Sequence, residues 1–99
     1  MSDDLAARLM EPVWLVEATY APDAAETRVP LRPQHFAHAA GLKAAGTIVE
    51  IGAFTDVSSA IIIVRAESEA AALEIVRRDP YVTNGVWVEL RARPFNRLV

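Results

Sequence analysis

The sequence predicts one α+β domain whose elements follow in the order β-α-β-β-α-β. Four segments are rich in β-branched and aromatic residues, and two others place apolar residues at helical spacing. The chain has 99 residues, enough for one domain with a modest core, yet 53% of them are hydrophobic. We therefore expect association with another molecule to bury part of the apolar surface.

The first strand is predicted at residues 13–20 (VWLVEATY), where β-branched and aromatic residues are concentrated. Residues 1–11 precede it with apolar side chains at near-helical spacing, as an amphipathic turn or a frayed terminus. We therefore divide the chain into this N-terminal segment and a single domain at residues 12–99.

The first helix and the second strand follow a polar, proline-bounded loop. Pro33 suits the first turn of a helix over residues 31–45, and Gly46 suits the left-handed position just past its end. Residues 47–54 (TIVEIGAF) predict the second strand. Gly52 inside this strand predicts a β-bulge or a close approach of another backbone.

The third strand is the most apolar element. Residues 55–59 predict a hairpin turn, although they lack the usual glycine. The strand at residues 60–65 contains Ile61-Ile62-Ile63-Val64, an unbroken apolar run without polar alternation. Such a run is typical of a strand that is buried on both faces.

The second helix is predicted over residues 70–78, with Ser68 as its N-cap. A turn at Asn84-Gly85 leads into the fourth strand, residues 86–93 (VWVELRAR). Alternation places Val86, Val88 and Leu90 on one face of this strand and Trp87 on the other.

This element order is typical of a ferredoxin-like sandwich, with one antiparallel sheet and two helices on one face. The third strand requires burial on both faces, and Trp87 adds a large apolar side chain to the uncovered one. A second copy packed sheet to sheet satisfies both, so we predict a homodimer that forms an α+β barrel. In the alternative, long side chains and the N-terminal segment cover that face within a monomer.

Composition excludes several classes of function. The net charge of −3 gives no basic surface for nucleic acid, and no apolar run is long enough to cross a membrane. The acidic start lacks the layout of a signal peptide, and the absence of cysteine excludes disulfides and thiolate metal sites. A cytoplasmic protein is expected. Glycine-rich phosphate loops and nucleophile elbows are also missing.

Asp79 is the first candidate for chemistry, because it follows the second helix and precedes Pro80 and Tyr81. The end of a helix disfavours a carboxylate by roughly 0.3–1 kcal/mol, which favours its protonation. Pro80 forces Asp79 out of helical dihedrals and restricts where its side chain points. In the alternative interpretation, Asp79 only ends the helix and a neighbouring arginine neutralises it.

The predicted topology places a partner for Asp79 at the same end of the domain. The end of the first strand meets the start of the fourth, so His35 in the first helical turn lies near Asp79. Together they can form a proton-transfer pair, or a structural contact between two helices. Arg28 and Arg32 can bind an anionic ligand there, or they are solvated surface residues.

Two further side chains belong to this region. Tyr81 can line a pocket and contact a ligand, although packing is the more common role for such a residue. His38 follows His35 by one turn, but no acidic third ligand accompanies the two histidines. We therefore predict no metal and no cofactor.

Several of these residues occur in motifs that resemble the YciI-like (YCII-related) family, and the resemblance covers roughly residues 12–95. The matching positions are Arg32-Pro33-Gln34-His35-Phe36, Ala44-Ala45-Gly46, Gly52, Asp79-Pro80-Tyr81, Gly85 and residues 88–95. The chain departs from the family pattern at Ala53, at residues 56–59 and at Phe95. These departures leave the specific substrate undefined.

The resemblance implies a dimeric α+β barrel with a histidine–aspartate pair, here His35 and Asp79, in a pocket. The family is similar to muconolactone isomerases, and some relatives eliminate halide from chlorinated lactones. The leading hypothesis is therefore a lyase or isomerase that moves protons on a small anionic acid or lactone. The alternative is a non-catalytic dimeric module that binds a small metabolite.

Overall fold

A four-stranded antiparallel sheet with the order β2-β3-β1-β4 forms the frame of the computed structural model, which describes residues 3–99. The predicted β-α-β-β-α-β order is confirmed, with three additional short helices. In chain order the elements are α1 (Asp3–Leu9), β1 (Met10–Tyr20), α2 (Ala24–Thr27), a 3-10 turn (Val29–Leu31), α3 (Arg32–Ala44), β2 (Ile48–Ala53), β3 (Ser59–Val64), α4 (Glu69–Arg77), α5 (Pro80–Thr83) and β4 (Trp87–Leu98).

Helix α1 lies in the N-terminal segment that precedes the predicted domain. Met1 and Ser2 of that segment lie outside the described residues. Strand β1 begins at Met10 and pairs with β4 along its whole length, from Met10 opposite Leu98 to Tyr20 opposite Trp87. The end of β1 therefore meets the start of β4, as the topology predicted. This pairing brings the start of α3 and the end of α4 to the same end of the sheet.

Helix α3 ends as the sequence predicts. Gly46 has a φ of +81° and its N–H donates to the Lys43 carbonyl, while the Thr47 N–H donates to the Leu42 carbonyl. These two hydrogen bonds define a Schellman motif, in which glycine occupies the left-handed position without steric cost. At the other long helix, the Ser68 hydroxyl accepts the Ala71 N–H and caps α4.

The prediction for Gly52 is wrong. The irregularity in β2 lies between Ile48 and Glu50, so Val49 is the extra residue. No atom outside its immediate neighbours would lie within 4 Å of a Cβ at Gly52, so no other backbone approaches it closely. Gly52 pairs with Ile61 in the regular part of the ladder.

The face assigned to Trp87 is also wrong. A β-bulge opposite Thr19 and Tyr20 inserts Val88 as an unpaired residue in β4. The extra residue reverses the alternation at this point, so Trp87 lies on the helix-covered face and is only 3% exposed. Val88 is 60% exposed instead. Trp87 is thus part of the core and not of the open face.

The core lies between the sheet and helices α3 and α4. In β3 the buried residues are Ala60, Ile62 and Val64, whereas Ile61 and Ile63 on the opposite face are half-buried in the single chain. No helix among residues 3–99 has both the length and the apolar character required to cross a membrane.

A cluster of ionic contacts joins β1 to β4 and to Arg65, the residue that follows β3. The Glu11 carboxylate accepts hydrogen bonds from Arg65 Nε at 2.6 Å and from Arg97 Nη1 at 2.7 Å. Hydrogen bonding by Arg65, and next by Arg97, lowers the pKa of Glu11 from 4.5 to about 2. A group whose pKa is depressed by folding stabilises the fold above its unfolded pKa and loses this effect as the pH falls.

We expect Glu11→Gln to lower the urea midpoint at pH 7, because the charged contacts with both arginines are lost. The difference from wild type should shrink as the pH falls from 4.5 towards 2, where the native carboxyl also becomes protonated. Urea unfolding at pH 7 and pH 3 measures it, with Glu67→Gln on the exposed loop as the control. An equal difference at both pH values would contradict this assignment.

Candidate functional site

His35 and Asp79 form a buried pair, although 44 positions separate them in the sequence. His35 Nδ1 lies 2.8 Å from Asp79 Oδ1 and 2.9 Å from Oδ2. The two residues are 6% and 4% exposed, respectively. The sequence predicted that the topology would bring them together, and the contact is present.

Asp79 is held by a structure that differs from the predicted one. Helix α4 ends at Arg77, and Asp79 is the N-cap of the one-turn helix α5. Its carboxylate accepts the Tyr81 N–H at 2.8 Å, and Pro80 occupies the first turn of α5. The predicted unfavourable carboxylate at a helix end is therefore wrong, because an N-cap aspartate is stabilising by about 1 kcal/mol. Its two oxygens act as hydrogen-bond acceptors for the Tyr81 N–H and for His35.

The tautomer of His35 follows from this pairing. An ionised carboxylate only accepts hydrogen bonds, so Nδ1 carries the hydrogen and donates it to Asp79. Within residues 3–99, Nε2 of His35 has no hydrogen-bond partner, and this atom is not fully buried. His35 therefore presents the lone pair of Nε2 to its surroundings, as a general base requires.

Aromatic rings fix the orientation of the imidazole. The Tyr81 ring stacks on His35 with centroids 3.8 Å apart and an interplanar angle of 8°. The Trp87 ring meets His35 edge-on at 5.2 Å and Tyr81 at 5.3 Å. Tyr20 packs against Trp87 at 6.2 Å. Rotation of His35 would break this packing as well as the hydrogen bond to Asp79.

A cleft of about 400 Å³ opens beside the pair. His35, Arg28, Arg32 and Tyr81 line it together, while Asp79 lies behind His35 and does not reach it. Its other walls are predominantly apolar and aromatic, which is typical of a small-molecule site. They consist of Tyr20, Phe36, Ala39, Ala40, Lys43, Ile51, Gly52, Ala53, Ala60 and Trp87.

Positive charge is concentrated along the cleft. The Arg28 guanidinium lies 6.0 Å from the Tyr20 ring, and its buried Nε has no partner among the described residues. Lys43, which the sequence analysis did not select, also lines the cleft and forms an exposed ion pair with Glu50 at 3.1 Å. Arg28 and Arg32, which form no ion pair among the described residues, favour an anionic ligand in this apolar cleft.

Tyr81 contributes a neutral hydroxyl to this site. Burial, followed by the nearby Tyr20, raises the pKa of Tyr81 above its ordinary value of 10.0, while Arg32 and Arg28 oppose the shift. Tyr81 therefore remains protonated at neutral pH and can donate a hydrogen bond.

Of the two cleft residues that were missed, Lys43 could have been found from the sequence and Trp87 could not. Lys43 lies seven positions after Phe36, which places both on one stripe of α3. Trp87 was missed because the bulge that turns it inward is not visible in the sequence. Within residues 3–99, no three His, Cys, Asp or Glu side chains form a group that could hold a metal ion.

Comparisons with known proteins identify the family. A profile of the YCII-related domain matches residues 13–96. The fold also matches the 5-chloro-2-hydroxyhydroquinone dehydrochlorinase of Burkholderia phenoliruptrix, solved with 2,5-dihydroxybenzoquinone, with a TM-score of 0.71 and 21% identity over 84% of this chain and 92% of that chain. A comparison with curated protein sequences gave no match. The chain belongs to the YCII-related domain family.

Proposed function

We propose that this protein is a small cytoplasmic lyase or isomerase that uses His35 and Asp79 to move protons on a small anionic acid or lactone. The observation that carries the proposal is the buried pair itself. Asp79 accepts from Nδ1 of His35, and the opposite nitrogen remains available beside a cationic, largely apolar cleft. A base held in one tautomer next to a ligand-sized cleft suits proton abstraction from carbon.

Each residue of the site has a separate role in the proposed reaction. His35 Nε2 takes a proton from the carbon next to the bond that breaks, and the ionised Asp79 stabilises the resulting imidazolium. Arg28 and Arg32 bind the anionic group of the substrate, and the Tyr81 hydroxyl donates a hydrogen bond to a substrate oxygen. Preorganised donors and charges of this kind stabilise negative charge that develops in a transition state.

Elimination is the better supported of the two reactions. The similar structure is that of an enzyme named as a dehydrochlorinase, and its bound molecule is a planar oxygenated ring. In an elimination catalysed by this protein, the proton moves to His35 and the electron pair of the C–H bond forms the new π bond. The electron pair of the carbon–chlorine bond leaves with chloride. In an isomerisation, the imidazolium would return the proton to a different carbon.

A second copy of the chain is part of the proposal. The sheet face opposite the helices carries the half-buried Leu15, Ile61 and Ile63 and ends at the exposed Phe95. Apolar residues that adjoin on one sheet face favour packing against the same face of a second copy. A homodimer formed sheet to sheet covers this surface.

Chloride release and spectral change over a panel of chlorinated hydroxyhydroquinones and chlorinated lactones test the activity. Sedimentation velocity in the same buffer tests the dimer. We expect turnover with at least one compound and a 10²–10⁴-fold decrease in His35→Gln, the usual contribution of a general base. Gln34→Ala, on the exposed side of the same helical turn, is the control. Tight binding without turnover across the panel would instead establish a non-catalytic metabolite-binding module.

A further inference from the structure

A second, much smaller cavity lies at the back of the pair. It measures about 10 Å³ and is lined by residues of α3, α4, β2, β3 and β4. Asp79 and His38 line it, and Trp87 lines both this cavity and the main cleft. The rest of the wall is aliphatic and consists of Leu42, Ile48, Ile51, Ile62, Ile75 and Val76.

The polar atoms around this cavity are incompletely paired. Trp87 Nε1 and His38 Nε2 are buried and have no hydrogen-bond partner among residues 3–99. Buried polar atoms without partners are rare in folded proteins, because they lose their hydration and gain nothing in exchange. Two such atoms, on two residues that share one small cavity with a carboxylate, point to a common partner.

We propose that a single water molecule occupies this cavity and bridges Asp79, His38 and Trp87. A buried water needs on the order of 10–15 Å³ and two to four polar neighbours, and both conditions are met here. The water accepts the indole N–H of Trp87 and donates its two hydrogens to the Asp79 carboxylate and to His38 Nε2. In this arrangement His38 Nε2 is the acceptor and Nδ1 carries the hydrogen.

The water completes the hydrogen bonding of Asp79. Among residues 3–99, Oδ1 already accepts from His35 and from the Tyr81 N–H, whereas Oδ2 accepts only from His35. A donor on the cavity side of Oδ2 holds the plane of the carboxylate and thereby the imidazole in front of it. His38 is therefore a positioning residue for the pair, a role in catalysis that rests on the proposed function.

A crystal structure at high resolution tests the water site directly. We expect one water peak at about 2.7–3.2 Å from an Asp79 oxygen, His38 Nε2 and Trp87 Nε1. NMR should also show a nuclear Overhauser effect from long-lived water to the Trp87 indole N–H. The peak should be absent in His38→Leu and retained in Ile75→Val, which changes the same wall without removing a polar atom.

The variants keep the test independent of turnover. If His38→Leu does not fold, His38→Gln is examined instead, with the opposite expected result. Its amide oxygen can accept the same hydrogen bond, so the water should be retained. Where turnover is measurable, His38→Leu should lower kcat by about 2- to 10-fold, the effect of one hydrogen bond, with little change in KM. A dry cavity in the wild type would overturn this inference even in an active enzyme, and a bound water would support it even if no substrate is found.

Discussion

Asp79→Asn should retain the fold and lose activity by about 10²–10⁴-fold, the contribution of general-base catalysis. Asparagine is as good an N-cap as aspartate, so its amide oxygen can keep the hydrogen bond to the Tyr81 N–H. The amide nitrogen then takes the position of Oδ2, which lies 2.9 Å from His35 Nδ1. That amide N–H repels a hydrogen on Nδ1, and the uncharged amide oxygen at the Oδ1 position, 2.8 Å from Nδ1, attracts it less than the carboxylate does. We therefore expect the imidazole hydrogen to move to Nε2, which can then no longer accept a proton.

The ¹⁵N chemical shifts of the His35 ring measure this change without a substrate. In wild type they should report the Nδ1–H tautomer, and in Asp79→Asn the Nε2–H tautomer. Asp56→Asn is the matched control. Asp56 accepts hydrogen bonds from Ser58 in an exposed hairpin, and it does not line the cleft. An unchanged tautomer together with full activity would show that Asp79 does not set the state of the base.

The contact between His35 and Asp79 was predictable because it follows from topology. Adjacent, antiparallel first and fourth strands bring the ends of two distant helices together, whatever the side chains are. The environment of Asp79 was not predicted correctly, because its sequence fits two interpretations. A polar residue before proline can follow one helix or cap the next, and the next helix here is only four residues long.

Irregularities of the strands account for the other errors. A bulge depends on how two strands pair, so neither Val49 nor Val88 shows it in the sequence. The hairpin after β2 is a related case. Val57 adopts a φ of +59°, a conformation that usually requires glycine, and the Asp56 side chain stabilises the turn through Ser58. The left-handed position of this turn is therefore occupied by a β-branched residue where glycine is usual.

The stability of the site depends most on Tyr81. Tyr81 is 2% exposed, stacks on His35 and meets Trp87 edge-on. Its backbone N–H also binds Asp79, so the residue joins the core to the pair. We expect Tyr81→Ala to reduce the free energy of unfolding by about 3–5 kcal/mol, the usual cost of removing a buried aromatic ring. This loss is a large fraction of the roughly 5–15 kcal/mol that stabilises a domain.

Tyr81→Phe separates the ring from the hydroxyl. It keeps both ring contacts, so its urea midpoint at pH 7 should stay close to wild type while that of Tyr81→Ala falls. Folding raises the pKa of Tyr81 above 10.0, so the buried hydroxyl resists ionisation. As the pH rises past 10.0, wild type should therefore lose stability relative to Tyr81→Phe, which has no proton to release. Equal midpoints for Tyr81→Ala and Tyr81→Phe at pH 7 would show that the Tyr81 ring does not stabilise the fold.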